Sequence, residues 1–182
     1  MPRLFIAIDP PEEILKHICE FRRALKGVRW TPTEQVHLTI TFIGESTDEQ
    51  KENIIDSLQK VIFPKFQAKL YGTGFFPSRR RPSIFWAGIE MTCELDSLKK
   101  TIDSELSKIG LPIDEGHDFK PHMTVARIKY SNRESVEFLE RLRFPSDKLF
   151  FEVASFRLMS SILCPHGAVH KTEAVIKSTD YQ

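Results

Sequence analysis

The sequence predicts an α+β fold with two lobes, each built on a β-sheet. Segments with the two-residue period of strands alternate along the chain with segments of helical period. A short His-x-Thr pattern occurs once in each half and suggests a diverged duplication. The length of 182 residues suffices for a full core, so we expect residues 1–182 to form one two-lobed domain.

The first half opens with an apolar run at residues 4–8, which predicts a buried strand. A helix is expected to begin near Pro11, because proline suits the first helical turn. Its apolar residues recur at helical spacing and are Ile14, Leu15, Ile18, Phe21 and Leu25. We interpret residues 30–32 as a connector into the first histidine strand, residues 36–43.

The middle of the chain is predicted to contain two helices and two strands. Thr47 and Gln50 have the spacing of a capping box, which predicts the start of the second helix. Residues 66–70 alternate between apolar and polar, as in a strand with one solvated face, and residues 83–89 predict another strand. The third helix has apolar residues at helical spacing and a glycine stop, namely Leu95, Leu98, Ile102, Leu106, Ile109 and Gly110.

The last third begins with the second histidine strand at residues 121–125. Asn132 is expected to open a fourth helix. Two long strands at residues 150–163 and 168–176, joined by a turn at residues 164–167, complete the chain. The predicted order is therefore β-α-β-α-β-β-α-β-α-β-β.

The charges of the chain nearly cancel, with 26 basic and 25 acidic residues and a net charge of +1. This balance argues against broad electrostatic binding to long nucleic acid, but it leaves room for a small phosphate site. The three cysteines are widely spaced, form no zinc pattern and favour a reducing compartment. The apolar run near the start is too short for a signal peptide or a membrane span, so we expect a cytoplasmic protein without membrane association.

The two histidine segments have the same form. The first is Val36-His37-Leu38-Thr39-Ile40, and the second is Pro121-His122-Met123-Thr124-Val125. Side chains two positions apart on a strand share a face, so each histidine lies beside its threonine and opposite the aliphatic residues. We therefore expect the two histidine faces to line one cleft.

Two histidines that face each other across a cleft suit acid–base catalysis. Imidazole has an unperturbed pKa of about 6.5, so it holds or releases a proton near neutrality. A neutral histidine can take a proton from water while a protonated one gives a proton to a leaving oxygen. Threonine hydroxyls can donate to non-bridging phosphate oxygens, where transition-state charge collects. The combination predicts in-line chemistry at phosphorus that needs no metal or other cofactor.

The paired motifs resemble the tandem H-x-T-x signature of the 2H phosphoesterases. Further segments resemble the RNA 2′,3′-cyclic phosphodiesterase branch of that superfamily, first described as a 2′-5′ RNA ligase; they are residues 3–8, 30–44, 75–88 and 119–127. The resemblance implies two pseudo-symmetric lobes, each an antiparallel sheet with helices on its outer face, around a central cleft. It also implies metal-independent hydrolysis of RNA 2′,3′-cyclic phosphate ends, or of such nucleotides, to 2′-phosphomonoesters. We expect the enzyme to be a monomer.

The resemblance also assigns roles to motif residues, with catalytic His37 and His122 and phosphate-binding Thr39 and Thr124. By this analogy His122 activates water and His37 protonates the departing 3′ oxygen. Arg127 matches an arginine of the branch that helps to hold the phosphate. Simple strand alternation turns Arg127 away from His122, so a bulge or the strand's end must redirect it.

One departure from the branch is His170, where the branch more often has an aromatic residue, typically tyrosine. This difference puts in doubt any stacking role at that position. Three aromatic residues elsewhere suit either core packing or stacking on a base, namely Phe42, Phe76 and Trp86. The run Arg79-Arg80-Arg81 suits either a solvated loop or contact with RNA.

Two other functions, and one alternative for the histidines, remain open at this point. The protein could join RNA ends as a 2′-5′ RNA ligase by the reverse reaction, because both directions use the same acid and base. It could be a non-catalytic nucleotide-binding module, although a binder needs no acid–base pair. A zinc site at His37 and His122 would lack the accompanying Cys/His ligands that structural zinc requires.

Overall fold

The computed structural model describes residues 1–112, 118–143, 149–164 and 167–179. Its helices are α1 (Glu12–Cys19), α2 (Asp48–Leu58), α3 (Cys93–Lys108) and α4 (Arg133–Arg141), with a 3₁₀ turn at Thr33–Gln35. Its strands are β1 (Arg3–Ile8), β2 (Val28–Trp30), β3 (Leu38–Glu45), β4 (Phe66–Ser78), β5 (Arg81–Ile89), β6 (His122–Ile128), β7 (Phe150–Val153), β8 (Ser155–Cys164) and β9 (Gly167–Lys177). The predicted turn at residues 164–167 lies partly outside the described residues.

The strands of the described residues form an antiparallel sheet whose order is symmetric about its centre. The order is β7-β4-β5-β6-β3-β1-β8-β9, and the short β2 pairs with β6. On one side of the β6–β3 contact the strands are β3, β1, β8 and β9, and on the other they are β6, β5, β4 and β7. In each half the two strands nearest the centre are joined through a helix, α1 in one case and α3 in the other. This arrangement confirms the predicted α+β fold with two pseudo-symmetric lobes.

The two lobes join at one backbone pairing, between Leu38 of β3 and Met123 of β6. Both side chains are fully buried. Because Leu38 follows His37 and Met123 follows His122, this pairing brings the two histidine motifs together at the centre of the sheet. We call the pairing of Leu38 with Met123 the seam.

The hydrophobic core lies between one face of the sheet and the helices. All four helices of the described residues contribute to a cluster that includes Ile6, Leu38, Met123, Ile18, Ile54, Ile102 and Leu139. The hydroxyl of Thr41 donates to Asp103 of α3 at 2.9 Å, and Ser57 of α2 donates to the Glu105 carbonyl at 2.8 Å. The helices therefore cover the face opposite the motif histidines.

The predicted helix signals have the expected local structure. Thr47 and Gln50 form the capping box of α2, since the Thr47 hydroxyl accepts from the Gln50 amide at 3.2 Å and the Gln50 side chain accepts from the Thr47 amide at 2.8 Å. Such a cap stabilises a helix by about 1 kcal/mol. After α3, Gly110 has a φ of 77°, the left-handed conformation that ends helices.

Helix α1 is shorter than its apolar spacing predicted, because it ends at Cys19. Phe21 and Leu25 still pack against the core, but from an irregular segment. That segment closes at Gly27, whose φ is 79° and where a Cβ atom would lie 2.5 Å from the carbonyl oxygen of Tyr130. Apolar spacing therefore identified the core residues correctly and the end of the helix incorrectly.

The prediction of one strand over residues 150–163 was wrong. The chain forms β7, which pairs with β4, and then β8, which pairs with β1, with Ala154 between them. The chain thus crosses from one lobe to the other at Ala154 alone. The alternation shifts by one position at the break, since Phe151 and Val153 are buried before it and Phe156 and Leu158 after it. This shift is a local sign of the break that the prediction of one strand overlooked, but it does not identify the new pairing partner.

Two further strands differ from the prediction. Residues 28–30 form β2, which pairs with β6, although residue 30 was assigned to a connector. Strand β4 continues to Ser78, well beyond the predicted residues 66–70. Strand β2 is defined by a partner distant in sequence, whereas the added part of β4 forms a hairpin with β5. Short strands and strands that contain glycine have weak sequence signals, so neither was predicted.

Candidate active site

The face of the sheet opposite the helices contains a cavity of about 560 Å³ beside the seam. Both lobes contribute to it, and its lining side chains include Arg3, Phe5, Arg29, Gln35, His37, Thr39, Phe42, Thr124, Arg127, Ser161 and His170. The structure thus brings His37, Thr39, Thr124 and Arg127 to one cavity, as expected from the motifs. His122 lies two positions before Thr124 on β6, but it is not among the residues that line this cavity.

His37 is held by aromatic contacts at the floor of the cavity. Its ring stacks on Phe5 with centroids 5.0 Å apart, and the edge of His170 approaches it at 5.5 Å. Burial above all, together with the charges of His170 and His122, lowers the pKa of His37 to about 4, against a hydrogen bond to the Gln35 backbone that raises it. His37 is therefore neutral at pH 7 when the cavity is free of substrate.

His122 is held in a different way. Its Nδ1 lies 2.7 Å from the Lys120 carbonyl oxygen, and because a carbonyl only accepts, Nδ1 carries the proton. The tautomer leaves Nε2 as the nitrogen that exchanges a proton with a bound molecule. Phe76 contacts the His122 ring edge-to-face at 4.8 Å, and Trp86 lies 6.2 Å from it.

We expect the stability of the protein to fall as the pH drops from about 6.5 towards 4. His37 has a pKa of about 4 in the folded protein and about 6.5 in the unfolded chain. Between pH 6.5 and 4 the unfolded chain therefore binds a proton that the folded protein does not, and this binding favours unfolding. Below pH 4 the full loss from this residue is on the order of 3 kcal/mol. Urea unfolding at a series of pH values, for the parent and His37→Asn, measures it.

The control for this prediction is His17→Asn, because His17 lies on α1 with 43% of its side chain exposed. The control should keep the pH dependence of the parent, whereas His37→Asn should lose part of it. If His37→Asn and the parent lose stability equally between pH 6.5 and 4, burial does not keep His37 neutral.

Arg127 reaches the cavity because β6 contains a bulge. The pairing of β6 with β5 shifts after Thr124, so Val125 and Ala126 are both buried. Arg127 consequently returns to the face that carries His122 and Thr124. Simple alternation places Arg127 on the opposite face, and the bulge is the physical reason that it does not lie there.

A matching bulge lies in β3, the pseudo-symmetric partner of β6. The pairing of β3 with β1 shifts so that Ile40 and Thr41 are both buried, and Phe42 returns to the cavity face. Phe42 thus lies at the position in β3 that corresponds to Arg127 in β6. Its side chain is 75% exposed, which contradicts core packing, one of the two interpretations of this aromatic residue.

The other two aromatic candidates lie beside His122. Trp86 crosses the sheet over Gly74 and Gly88, where a Cβ atom would lie 2.2 Å and 3.2 Å from its ring. Phe76 packs against Trp86 with centroids 5.3 Å apart. The two glycines therefore allow the indole to lie flat next to the catalytic candidate.

Three basic residues of the cavity were not assigned a site role from the sequence, namely Arg3, Arg29 and His170. Arg29 belongs to the unpredicted strand β2, so its position opposite β6 had no sequence signal. The Nδ1 atom of His170 is buried without a hydrogen-bond partner among the described residues. Burial, and then the charge of Arg127, lower the pKa of His170.

The arginine run at residues 79–81 lies away from the cavity. Arg79 and Arg80 form the turn between β4 and β5, and Arg79 pairs with Glu140 of α4. Within the described part of the chain, no cluster of His, Cys, Asp and Glu side chains has an arrangement suited to a metal ion. The helices of the described residues are also too short or too polar to cross a bilayer.

Comparison with known proteins agrees with this architecture. The sequence model of the family described as LigT like phosphoesterase matches twice, over residues 8–86 and 90–170, so that each match contains one histidine motif. The chain therefore belongs to the LigT-like phosphoesterase family, which confirms the resemblance found in its sequence.

Individual relatives are similar over nearly their whole length. The RNA 2′,3′-cyclic phosphodiesterase of Archaeoglobus fulgidus is 34% identical over 174 residues, covering 93% of this chain and 96% of that protein. The protein of the same name from Thermotoga maritima is 34% identical over 175 residues, covering 93% and 91%. The crystal structure of TT0787 of Thermus thermophilus superposes with a TM-score of 0.82 at 27% identity, covering 96% of this chain and 97% of that one.

Proposed function

We propose that this protein hydrolyses RNA 2′,3′-cyclic phosphate ends to 2′-phosphomonoesters by paired-histidine acid–base catalysis. The oxygen of a water molecule bonds to phosphorus, the bond from phosphorus to the 3′ oxygen breaks, and the 2′ oxygen keeps the phosphate. One histidine accepts the proton of the water, and the other gives a proton to the 3′ oxygen. These two proton transfers require no metal.

The observation that carries this proposal is the seam. The pairing of Leu38 with Met123 brings together two histidine–threonine motifs, one from each lobe, and three of their four residues, His37, Thr39 and Thr124, line a single cavity. In-line displacement requires a base and an acid on opposite sides of phosphorus, and two lobes that meet at a cavity supply such sides. Thr39, Thr124 and Arg127 provide donors for the non-bridging oxygens, where charge develops.

The relatives support the choice of substrate. Two proteins that match this chain at 34% identity over nearly its full length are named RNA 2′,3′-cyclic phosphodiesterases. We propose the same class of substrate for this chain. Because one chain contains both histidines and three free cysteines, we further propose that it acts as a monomer in the cytoplasm.

The two histidines enter the reaction in different states. His122 donates through Nδ1 to a backbone carbonyl, which leaves Nε2 ready to take a proton from water. The lowered pKa of His37 keeps it neutral in the empty cavity, so it must gain a proton to act as the acid. The negative charge of a bound phosphate favours the protonated ring, since an opposite charge nearby raises the pKa of a histidine. We propose that His37 is protonated together with substrate binding.

Product analysis tests the proposed reaction. An oligonucleotide with a 2′,3′-cyclic phosphate is incubated with the purified protein in excess EDTA, and the product is identified by ³¹P NMR and phosphatase treatment. We expect a 2′-phosphomonoester, formed at the same rate with and without EDTA, because the acid, the base and the phosphate donors all belong to the chain.

Several results would contradict the proposal. A 3′-phosphate product would show that the 2′ oxygen, and not the 3′ oxygen, is the leaving group. Loss of turnover in EDTA that zinc or magnesium restores would show a metal-dependent mechanism. A joined product in the presence of a 5′-hydroxyl acceptor, at the expense of hydrolysis, would favour the ligase.

A further inference from the structure

His170 of β9 contacts the ring of the proposed acid. Its ring lies edge-on to both His37 and Phe5, with centroids 5.5 Å and 5.2 Å away. Phe5 also stacks on His37, so the three rings form one cluster. Strands β1 and β8 lie between β3 and β9, which would separate β3 from β9 by about 14 Å in a flat sheet. The contact therefore requires the sheet to bend, so that β9 approaches the residues before β3.

Gln35 holds β9 in this position. Its side-chain amide donates to the carbonyl oxygen of Ala168, two residues before His170, at 3.0 Å. The backbone of Gln35 is also hydrogen-bonded to the His37 side chain. Because both hydrogen bonds involve the same residue, the fold itself sets the position of His170 relative to His37.

The lining of the cavity provides no acidic partner for a proton on His170. The titratable and charged side chains that line the cavity with it are those of His37, Arg3 of β1, Arg29 of β2 and Arg127 of β6. None of the described lining residues is an aspartate or glutamate, and Glu45, which pairs with Arg3 at 3.7 Å, lies outside the lining. A positive charge on His170 therefore acts on His37 without being neutralised by a carboxylate of the lining.

The other surroundings of His170 leave it able to titrate. Its Nδ1 atom is buried without a hydrogen-bond partner among the described residues, so no described group fixes a proton there. Its strand neighbour Lys171 pairs with Glu173 at 3.3 Å, and the uncharged Ser161 lies opposite it on β8. After burial, the charge of His170 is the largest cause of the lowered pKa of His37. Geometry and charge thus agree that His170 acts on His37.

We propose that His170 is a positioning residue for the acid: its ring supports that of His37, and its own proton, when present, opposes protonation of His37. This inference rests on the proposed function, in which His37 gains a proton when substrate binds. Two contacting imidazoles titrate as a coupled pair, so a proton on His170 makes a second proton on His37 less favourable. The negative charge of a bound phosphate offsets this repulsion. His170 thereby makes protonation of the acid depend more strongly on the presence of substrate.

The direct test is the pKa of His37, measured by NMR in the substrate-free protein with the signal assigned from His37→Asn. His170→Phe keeps an aromatic ring at this position but cannot take a proton. We expect it to raise the pKa of His37 by about one unit, the order of effect of a like charge at this distance. A phenyl ring is more apolar than imidazole, and a more apolar environment lowers the pKa of a histidine. A rise therefore reports the lost charge and not a change in burial.

The pH profile of hydrolysis gives a second readout that a purely structural role would not change in the same way. On a 2′,3′-cyclic phosphate, kcat/KM of His170→Phe should exceed that of the parent by up to about tenfold in acid, the equivalent of one pKa unit. The gain should fall away above neutrality, where His170 is neutral because its pKa is lowered. An equal change of kcat/KM at every pH overturns the proposal. The matched control is His17→Phe on α1, which should keep the parent's pH profile and pKa of His37.

The NMR titration separates failure of this inference from failure of the proposed function, because it needs no turnover. If the pKa of His37 rises in His170→Phe, the coupling of the two histidines stands even where the parent hydrolyses no cyclic phosphate. If that pKa is unchanged or falls, the coupling is wrong even where hydrolysis is confirmed. Circular dichroism verifies the fold, and if His170→Phe does not fold, His170→Gln, which also lacks a titratable group, decides by the same criterion.

Discussion

His37→Asn and His122→Asn should each lower kcat by about 10²–10⁴-fold, the usual contribution of a general acid or base. The effect is large because each imidazole handles one of the two protons of the reaction. The double variant should fall little further than the more severe single variant, since residues that act as a unit are not additive. Single-turnover rates on a cyclic-phosphate dinucleotide measure the loss in the two single variants and in the double variant.

The pH dependence of the same reaction gives an independent measurement. The parent should show a bell-shaped profile of kcat/KM, which reports the essential groups of the free enzyme. Because His37 is the proposed acid, loss of its proton sets the alkaline limb, and its pKa of about 4 leaves little of the free enzyme in the active protonation state near neutrality. In His37→Asn the alkaline limb should therefore disappear from the residual activity, while the acid limb, which reports protonation of the base, should remain.

His17→Asn again serves as the control, since His17 lies on α1 beside Glu20 and away from the cavity. It should keep the kcat of the parent. Circular dichroism and the unfolding temperature verify that the variants are folded. Turnover within threefold of the parent in either His37→Asn or His122→Asn would exclude the paired-histidine mechanism.

Arg127→Gln should lower kcat by about 10²–10³-fold, the usual cost of removing one preorganised donor to a transition-state oxyanion. Arg127 faces the cavity only because of the bulge at Val125 and Ala126, so the fold already places it on the same face as Thr124 before substrate arrives. Rate measurements under saturating substrate separate this effect from weaker binding. Arg127→Lys should recover only part of the rate, because an ammonium lacks the planar, bidentate geometry of guanidinium.

The exposed Arg133→Gln variant is the matched control for the loss of one positive charge. It should leave kcat at the parent value. A rise in KM with unchanged kcat in Arg127→Gln would show that the arginine binds substrate and transition state equally. In that case it contributes to affinity and not to the chemical step.

Much of this site could be predicted from sequence because the patterns that define it span only a few neighbouring residues. The His-x-Thr pattern fixes which side chains share a strand face, since that face depends only on the two-residue period. The capping box at Thr47 likewise lies within four residues. Alternation alone contradicted the role that the family resemblance assigned to Arg127, so a bulge or the strand's end was expected to redirect it, and the structure has the bulge.

The remainder depends on pairing between distant segments. Arg29 lies in a three-residue strand that is defined by its contact with β6 and by nothing in its own sequence. The break at Ala154 sends β7 and β8 to different lobes, and the shift in alternation there marks the break without identifying the new partner strand. Both errors concern which strand lies next to which, and that information is not contained in a single segment.

The seam has a consequence for how the catalytic distance is controlled. Each catalytic candidate is adjacent in sequence to a fully buried residue, Leu38 or Met123, and those two residues pair with each other. The spacing of proton donor and acceptor is therefore governed from inside the protein, by side chains that never meet RNA. Slight repacking of this interior would retune the reaction while every residue at the wall of the cavity stayed the same.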